Sequence, residues 1–202
     1  AKVRTEMREN LRRRGGAEAI LLTGEDQPWT GKTLAQMATQ WNTDPIEAAI
    51  RILKTPGAKT GIASFNMADR DVDLIMKQPW VVTSSDGSDG HPRQYATFPK
   101  LYQTYVRERH VLTLAQMIRR STGATADMYR LKDRGYLRAG GFADVVVFDP
   151  VRYAPRADYV HPRETSVGVD ALFVNGKLAL RNGAATGVAA GRALLRAKPA
   201  GC

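Results

Sequence analysis

Short apolar runs separate stretches of helically spaced hydrophobic residues through the first two thirds of the chain. The runs at 19–23, 61–65 and 80–85 are too short for helices and are typical of buried strands. Between the first two runs, apolar residues recur at helical spacing twice, at 34–41 and again at 46–53. Strand, helix pair, strand, helix and strand, in that order, predict a parallel α/β unit.

Helix-start signals agree with this periodicity. Thr33–Gln36 and Thr113–Gln116 have the same capping-box sequence, and Asp44 precedes a proline suited to the first helical position. We also expect Asp69 to cap a short helix that runs to Met76. A later helix is predicted over Pro99–Arg107.

The pattern changes after residue 134. The segments 145–148, 171–174 and 177–181 predict strands, and the last two are joined by Asn-Gly, the strongest short hairpin signal. We therefore divide the chain into a helix-rich unit at 1–134, a small β unit at 135–190 and a basic tail at 191–202.

Composition and charge exclude several classes of protein. The 202 residues are 43% hydrophobic and 25% charged, as in an ordinary globular protein. No apolar run approaches the about 20 residues of a membrane span, and the charged start at 1–14 has no signal-peptide pattern. A single cysteine, Cys202, excludes an internal disulfide framework, and a cytoplasmic setting is the default.

The net charge of +10 allows two interpretations. Excess Lys and Arg can attract nucleic acid, but no zinc-finger spacing, RNP box or Gly-rich basic tail is present. We prefer solvated helix faces in the basic half of a larger protein. A field of this sign would also steer an anionic substrate.

Candidate chemistry lies where the run at 80–85 ends in a carboxylate. Asp86 belongs to the first of two Ser-Asp-Gly sequences, which His91, Pro92 and Arg93 follow. The carboxyl ends of strands are where α/β enzymes place their functional groups. An Asp here either caps the following turn or takes part in catalysis. Asp89, in the second Ser-Asp-Gly, is the rival, and we prefer Asp86 because it directly ends the strand.

These sequences resemble the N-acyl-D-amino-acid deacylases, or D-aminoacylases, of the amidohydrolase superfamily. The resemblance covers nearly the whole chain, although it is weaker before Gly31. It implies the C-terminal part of a metal-dependent (β/α)8 barrel, followed by strands of a small β-sandwich. Its motifs are Ser85-Asp86-Gly87, His91-Pro92-Arg93, Thr97-Phe98-Pro99, Lys132-Asp133-Arg134-Gly135, Leu137-Arg138-Ala139-Gly140, Phe142–Pro150 and Val174-Asn175-Gly176.

The resemblance also implies roles for individual residues. In the family, the aspartate at the position of Asp86 accepts a proton from metal-bound water and passes it to the leaving amine. Arg93 would bind the substrate carboxylate through two parallel N–H bonds. His91 would position the loop, and Ser85 would stand among the substrate-binding residues. The loop from Asp86 to Arg93 is short compared with many family members, so substrate preference stays open.

Zinc is the metal that the family implies, yet this sequence shows no zinc motif. Its histidines, His91, His110 and His161, form no H-x-H pair of the kind expected on the first barrel strand. The unit at 1–134 is also short beside a closed barrel of about 250 residues. We expect the ligands upstream, with Asp86 as a weak ligand at most. The chain would then be a fragment or subunit, inactive alone, whose partner is the N-terminal portion of the enzyme.

Three functions follow from these observations. The leading one is hydrolysis of the amide bond of N-acyl-D-amino acids or of peptides with a terminal D-residue. A cyclic-amide hydrolase is the second, although the His-Pro-Arg and Thr-Phe-Pro sequences argue against it. The third is a non-catalytic subunit or remnant without a metal site. An upstream H-x-H segment would distinguish the enzymes from the remnant.

Overall fold

The computed structural model describes residues 2–24 and 26–194. The predicted basic tail lies outside the described residues from position 195 onward. No helix in the described ranges is long and apolar enough to cross a bilayer. The helices are α1 (Lys2–Arg13), α2 (Leu34–Gln40), α3 (Pro45–Lys54), α4 (Asp69–Met76), α5 (Arg93–Lys100), α6 (Leu114–Ser121) and α7 (Gly123–Tyr129). The strands are β1 (Ile20–Thr23), β2 (Gly61–Ser64), β3 (Val145–Phe148), β4 (Val169–Val174), β5 (Lys177–Arg181) and β6 (Ala184–Ala185).

The predicted helix starts of α2, α3 and α6 are confirmed. Thr33 and Thr113 each accept a hydrogen bond from the backbone of the glutamine three residues on, and that glutamine bonds back to the threonine N–H. Asp44 accepts the Ile46 N–H at 2.8 Å, with proline at the first helical position. These local bonds satisfy backbone donors that a helix start leaves free.

The main apolar core lies between the first strand and the helix pair. Met37, at 1% exposure, is its most buried large side chain. Residues of β1, α2 and α3 surround it, together with Trp29, whose indole N–H donates to Thr60 Oγ1 at 2.8 Å. The helical spacing at 34–41 and 46–53 thus buries one face of each helix against the strand, as the sequence pattern predicts.

The predicted parallel order is wrong for the first two strands. β1 pairs with β2 antiparallel, with Ile20 opposite Ser64 and Thr23 opposite Gly61. The reason is the helix pair between them: one helix returns the chain for a parallel strand, whereas two successive helices return it in the opposite direction.

Two predictions about the segment before the candidate site are also wrong. Residues 80–85 form no strand, and their backbone donates only through Val81 N–H to Gln78 and Thr83 N–H to Arg120. A strand needs a ladder of hydrogen bonds to a neighbouring strand, and among the described residues this segment has no such ladder. Asp69 is the first residue of α4 and provides no capping bond; Ala68 occupies the cap position.

The helix predicted from Pro99 begins six residues earlier, at Arg93, and takes in the proline. Proline lacks the N–H that would bond to Tyr95 O, four residues back. The chain continues as a π-helix, Leu101–Glu108, directly after the proline turn. Such wider turns accommodate a disturbed hydrogen-bond ladder. Arg93 therefore sits on the first turn of α5 rather than in a loop.

The β unit is a four-stranded antiparallel sheet in the order β3-β4-β5-β6. The predicted hairpin is confirmed, since Val174 pairs with Lys177 across the turn. Asn175 and Gly176 have φ values of 51° and 76°, the left-handed conformation that a two-residue hairpin of this type requires.

Candidate functional site

The candidate acid lies at a sharp change of backbone direction. Asp86 has a φ of 43°, which asparagine and aspartate tolerate better than other side chains with a Cβ. The extended chain therefore stops at Ser85, which is half-buried. The Asp86 side chain is 81% exposed, so its carboxylate faces open space instead of a packed interior.

Arg93 and Asp86 are brought together. Arg93 Nη2 lies 2.9 Å from Asp86 Oδ2, and the same nitrogen is 3.4 Å from Ser88 Oγ. Arg93 Nε is buried and has no hydrogen-bond partner within the described residues. The first turn of α5 thus presents one guanidinium N–H to the acid and leaves a second N–H without an acceptor.

His91 supports this arrangement from inside the loop. Its Nδ1 accepts the Arg93 backbone N–H at 3.1 Å, which places the proton of the neutral ring on Nε2. Burial lowers the pKa of His91, and the nearby Arg93 cation adds to the effect. A neutral imidazole can accept this hydrogen bond, so the lowered pKa and the geometry agree.

Asp89, the alternative acid, is bound by an arginine of the β unit. Both of its carboxylate oxygens lie 2.9 Å from Nη2 of Arg163, a residue of the β unit, and Oδ1 also accepts from Arg163 Nε at 3.1 Å. Tyr159 packs edge-to-face against His91, with ring centroids 5.2 Å apart. The sequence pattern did not predict that Tyr159 and Arg163 contact this loop, because about 70 residues separate them from it.

The described residues do not fit a zinc centre on their own. Within them, no three side chains of His, Cys, Asp or Glu converge on one point. His110 Nδ1 lies 3.1 Å from Val106 O, and His161 Nδ1 lies 3.5 Å from Asp158 Oδ1, each far from the loop in sequence. A tight zinc site needs three or four ligands, so Asp86 could contribute only one of them.

A second polar cluster lies where residue 134 meets the start of β3 and the β4–β5 hairpin. Arg134, 8% exposed, forms an ion pair with Asp144 and also bonds to Asn175 Oδ1. Asp144 accepts the Asn175 N–H at 2.8 Å, and the Arg134 guanidinium lies 4.1 Å from the ring centre of Phe142. Burial acts to raise the pKa of Asp144, but the Asn175 N–H and the Arg134 cation outweigh it and hold the pKa below its ordinary value.

Comparison with known proteins places these residues in context. Residues 6–179 match the model of the amidohydrolase family. An N-acyl-D-aspartate deacylase from Alcaligenes xylosoxydans xylosoxydans is 37% identical over 152 residues, which is 73% of this chain and 30% of the relative. A D-aminoacylase from the same organism is 38% identical over 140 residues, 67% of this chain and 29% of the relative. The chain therefore spans about a third of the length of these relatives.

A solved structure gives the fold. The crystal structure of N-acyl-D-glutamate deacylase from Bordetella bronchiseptica, complexed with zinc and a phosphonate inhibitor that mimics the tetrahedral intermediate, matches with a TM-score of 0.74 at 33% identity. The match covers 92% of this chain and 39% of that protein. It confirms the predicted fold class, part of an α/β barrel followed by strands of a small β domain.

Proposed function

The chain belongs to the amidohydrolase family, as its sequence motifs predict, and we propose that it forms the C-terminal part of a D-aminoacylase-like enzyme. The reaction is hydrolysis of the linear amide bond of N-acyl-D-amino acids, with zinc as the metal. The zinc ligands lie outside the described residues, so this chain supplies the proton-transferring acid and the group that binds the substrate carboxylate. The setting we propose is cytoplasmic.

The observation that carries the proposal is the pairing of Asp86 with Arg93. Amide hydrolysis requires a base that takes a proton and returns it to the leaving nitrogen. The exposed Asp86 carboxylate has open space around it for that role. A substrate with a free carboxylate also needs a cation near the base, and Nη2 of Arg93 lies 2.9 Å from Asp86.

The exposed part of the Arg93 side chain supports a carboxylate ligand. The side chain is 39% exposed, and an incoming carboxylate would meet it at Nη2, beside the exposed Asp86. The same carboxylate would take over Nη2 and release Asp86 for proton transfer. We therefore assign Arg93 to the substrate carboxylate, His91 to holding the start of α5, and Ser85 to the substrate side of Asp86.

The N-terminal portion of the enzyme is the partner we propose for this chain. Trp80, Met67 and Leu74 are 65%, 76% and 62% exposed on the segments that lead to the site. Large apolar side chains of this kind favour association with a further protein surface. The missing zinc ligands would arrive with that surface.

The test is reconstitution with zinc. The chain alone is dialysed against zinc, its metal content is measured by mass spectrometry, and hydrolysis of N-acetyl-D-amino acids is followed beside their L-enantiomers. We expect no stoichiometric zinc and no turnover until the N-terminal portion is added, after which the D-substrates are hydrolysed. Tight zinc and turnover by the chain alone would refute the division of the site. An assembled, zinc-loaded protein without deacylase activity would refute the function.

A further inference from the structure

Residues 158–166, which we call the strap, cross from the β unit to the loop that carries Asp86. The strap begins in a local turn in which Asp158 Oδ1 accepts the Val160 N–H at 2.8 Å and the His161 N–H at 2.6 Å. It then contacts the candidate site at three separate points. None of these contacts is needed to complete the sheet of the β unit.

The first contact is with α5. Ser166 Oγ donates a hydrogen bond of 2.7 Å to Tyr95 O, the carbonyl that Pro99 leaves without its helical donor. The strap thus supplies the hydrogen-bond donor that Pro99 lacks. This bond attaches the strap to the first turns of the helix that carries Arg93.

The second contact is with the loop itself. Arg163 holds Asp89 through two nitrogens, at 2.9 and 3.1 Å, and Asp89 lies three residues after Asp86. The two side chains are 52% and 75% exposed. An exposed pair of this kind contributes at most about 1 kcal/mol to overall stability, even though its two-pronged geometry fixes direction.

The third contact is aromatic. The ring of Tyr159 lies 5.2 Å from the ring of His91 and 5.7 Å from that of Phe65, at the end of β2, and both contacts are edge-to-face. Tyr159 therefore joins the loop to the first sheet. Burial raises the pKa of its hydroxyl, in agreement with a ring packed between two neighbours.

We propose that the strap positions the catalytic loop, with Arg163 and Tyr159 as positioning residues for the reaction. Within the loop, Asp86 pairs with Arg93, but the acid is 81% exposed, and an exposed pair contributes at most about 1 kcal/mol. Contacts from outside the loop can therefore add to the definition of its position. A displacement of about 1 Å in a reacting group can cost about 10²-fold in rate. This inference rests on the proposed function and adds to it a dependence of turnover on the β unit.

The consequence is a specific kinetic pattern. Arg93 lies on α5, which has its own helical bonds and the Ser166 contact, whereas Asp86 lies on the loop and is held to α5 by one exposed ion pair. Loss of Arg163 should therefore lower kcat more than it changes KM. We expect Arg163→Ala in the assembled, zinc-loaded enzyme to lower kcat about tenfold, with KM changed less than about threefold. Tyr159→Ala should act in the same direction.

Arg152→Ala is the matched control. Arg152 is an exposed arginine of the same unit whose partners, Asp149 at 2.6 Å and Asp170 at 2.9 Å, lie outside both the strap and the loop. The exchange Asp89→Arg with Arg163→Asp tests the pair directly, since it restores opposite charges. We expect the double variant to recover at least part of the kcat that Arg163→Ala loses.

Hydrogen exchange gives a readout that does not depend on activity. Amides of 84–93 should exchange faster in Arg163→Ala than in Arg152→Ala, while the melting temperatures of the two variants stay alike. Equal kcat in the two variants, or equal exchange of the loop, would overturn the inference. If the wild-type enzyme has no deacylase activity, the proposed function fails, and the exchange comparison still decides whether the strap holds the loop.

Discussion

Arg134→Ala should be among the most destabilising single changes in this chain. Arg134 is 8% exposed, and its guanidinium joins Asp144, Asn175 and the face of Phe142. Removing one member of a buried ion pair costs about 3–5 kcal/mol, because the other charge stays behind without its partner. The Asp144 side chain is 36% exposed and keeps the Asn175 N–H, which reduces this cost.

The lost contact with the Phe142 ring adds about 0.5–1 kcal/mol. We therefore expect Arg134→Ala to lower the free energy of unfolding by about 2–4 kcal/mol. At about 2–4 °C per kcal/mol for a chain of this size, the melting temperature should fall by about 4–16 °C. Differential scanning fluorimetry of the purified protein, checked by circular dichroism, measures the change.

Arg138→Ala provides the control for this prediction. Arg138 pairs with Asp133 at 3.3 Å, with side chains 58% and 39% exposed, so its loss should cost less than about 1 kcal/mol. In a double-mutant cycle, Arg134→Ala with Asp144→Ala should cost less than the sum of the single changes. A melting temperature of Arg134→Ala equal to that of Arg138→Ala would refute the reasoning.

Three further predictions, with four substitutions, test the site and the Arg134 cluster. Asp86→Asn should lower kcat by about 10²–10⁴-fold in the assembled enzyme, because an amide cannot accept the proton. Asp89→Asn should lower kcat far less. If steady-state kinetics show the reverse, Asp89 is the proton-transferring acid and Asp86 is not. Arg93→Lys should raise KM for an N-acetyl-D-amino acid by about tenfold, since lysine keeps the charge and loses the two-pronged geometry; unchanged kinetics would remove Arg93 from the carboxylate site. The pKa of Asp144 is lowered in the folded state, so the stabilisation by its carboxylate is complete above the unfolded pKa of about 3.9 and is lost as the pH falls through the folded pKa. Asp144→Asn should therefore reduce the loss of unfolding free energy at acid pH. An unchanged dependence of the unfolding free energy on acid pH would contradict this.

Local signals were predictable from the sequence because they are satisfied locally. The capping boxes at Thr33 and Thr113, the proline after Asp44 and the Asn175-Gly176 hairpin each depend on residues within a few positions. Strand direction depends on what lies between strands, and the helix pair reversed it for β1 and β2. The run at 80–85 has strand composition but no strand neighbour among the described residues, and composition alone does not supply one.

The site was predictable only in part, for the same physical reason. Asp86 and Arg93 lie seven positions apart, so a turn and a helix start suffice to bring them to 2.9 Å. Arg163 reaches Asp89 across 74 positions, and the position of the strap depends on the whole β unit. No spacing rule covers such a contact, since either residue could be a solvated surface charge.

The motifs that carry the family resemblance divide between two physical tasks. Those around Asp86 and Arg93 form the loop and helix start where these two charged groups meet, and we propose that they face the substrate. Those around Arg134, Asp144 and Asn175 lie 10 to 41 positions apart and bond to one another, so they join residue 134 to the start of β3 and to the β4–β5 hairpin. The strap extends from the same β unit to the loop. If it positions the loop as we propose, residues that contribute no reacting atom affect the rate through the residues that do.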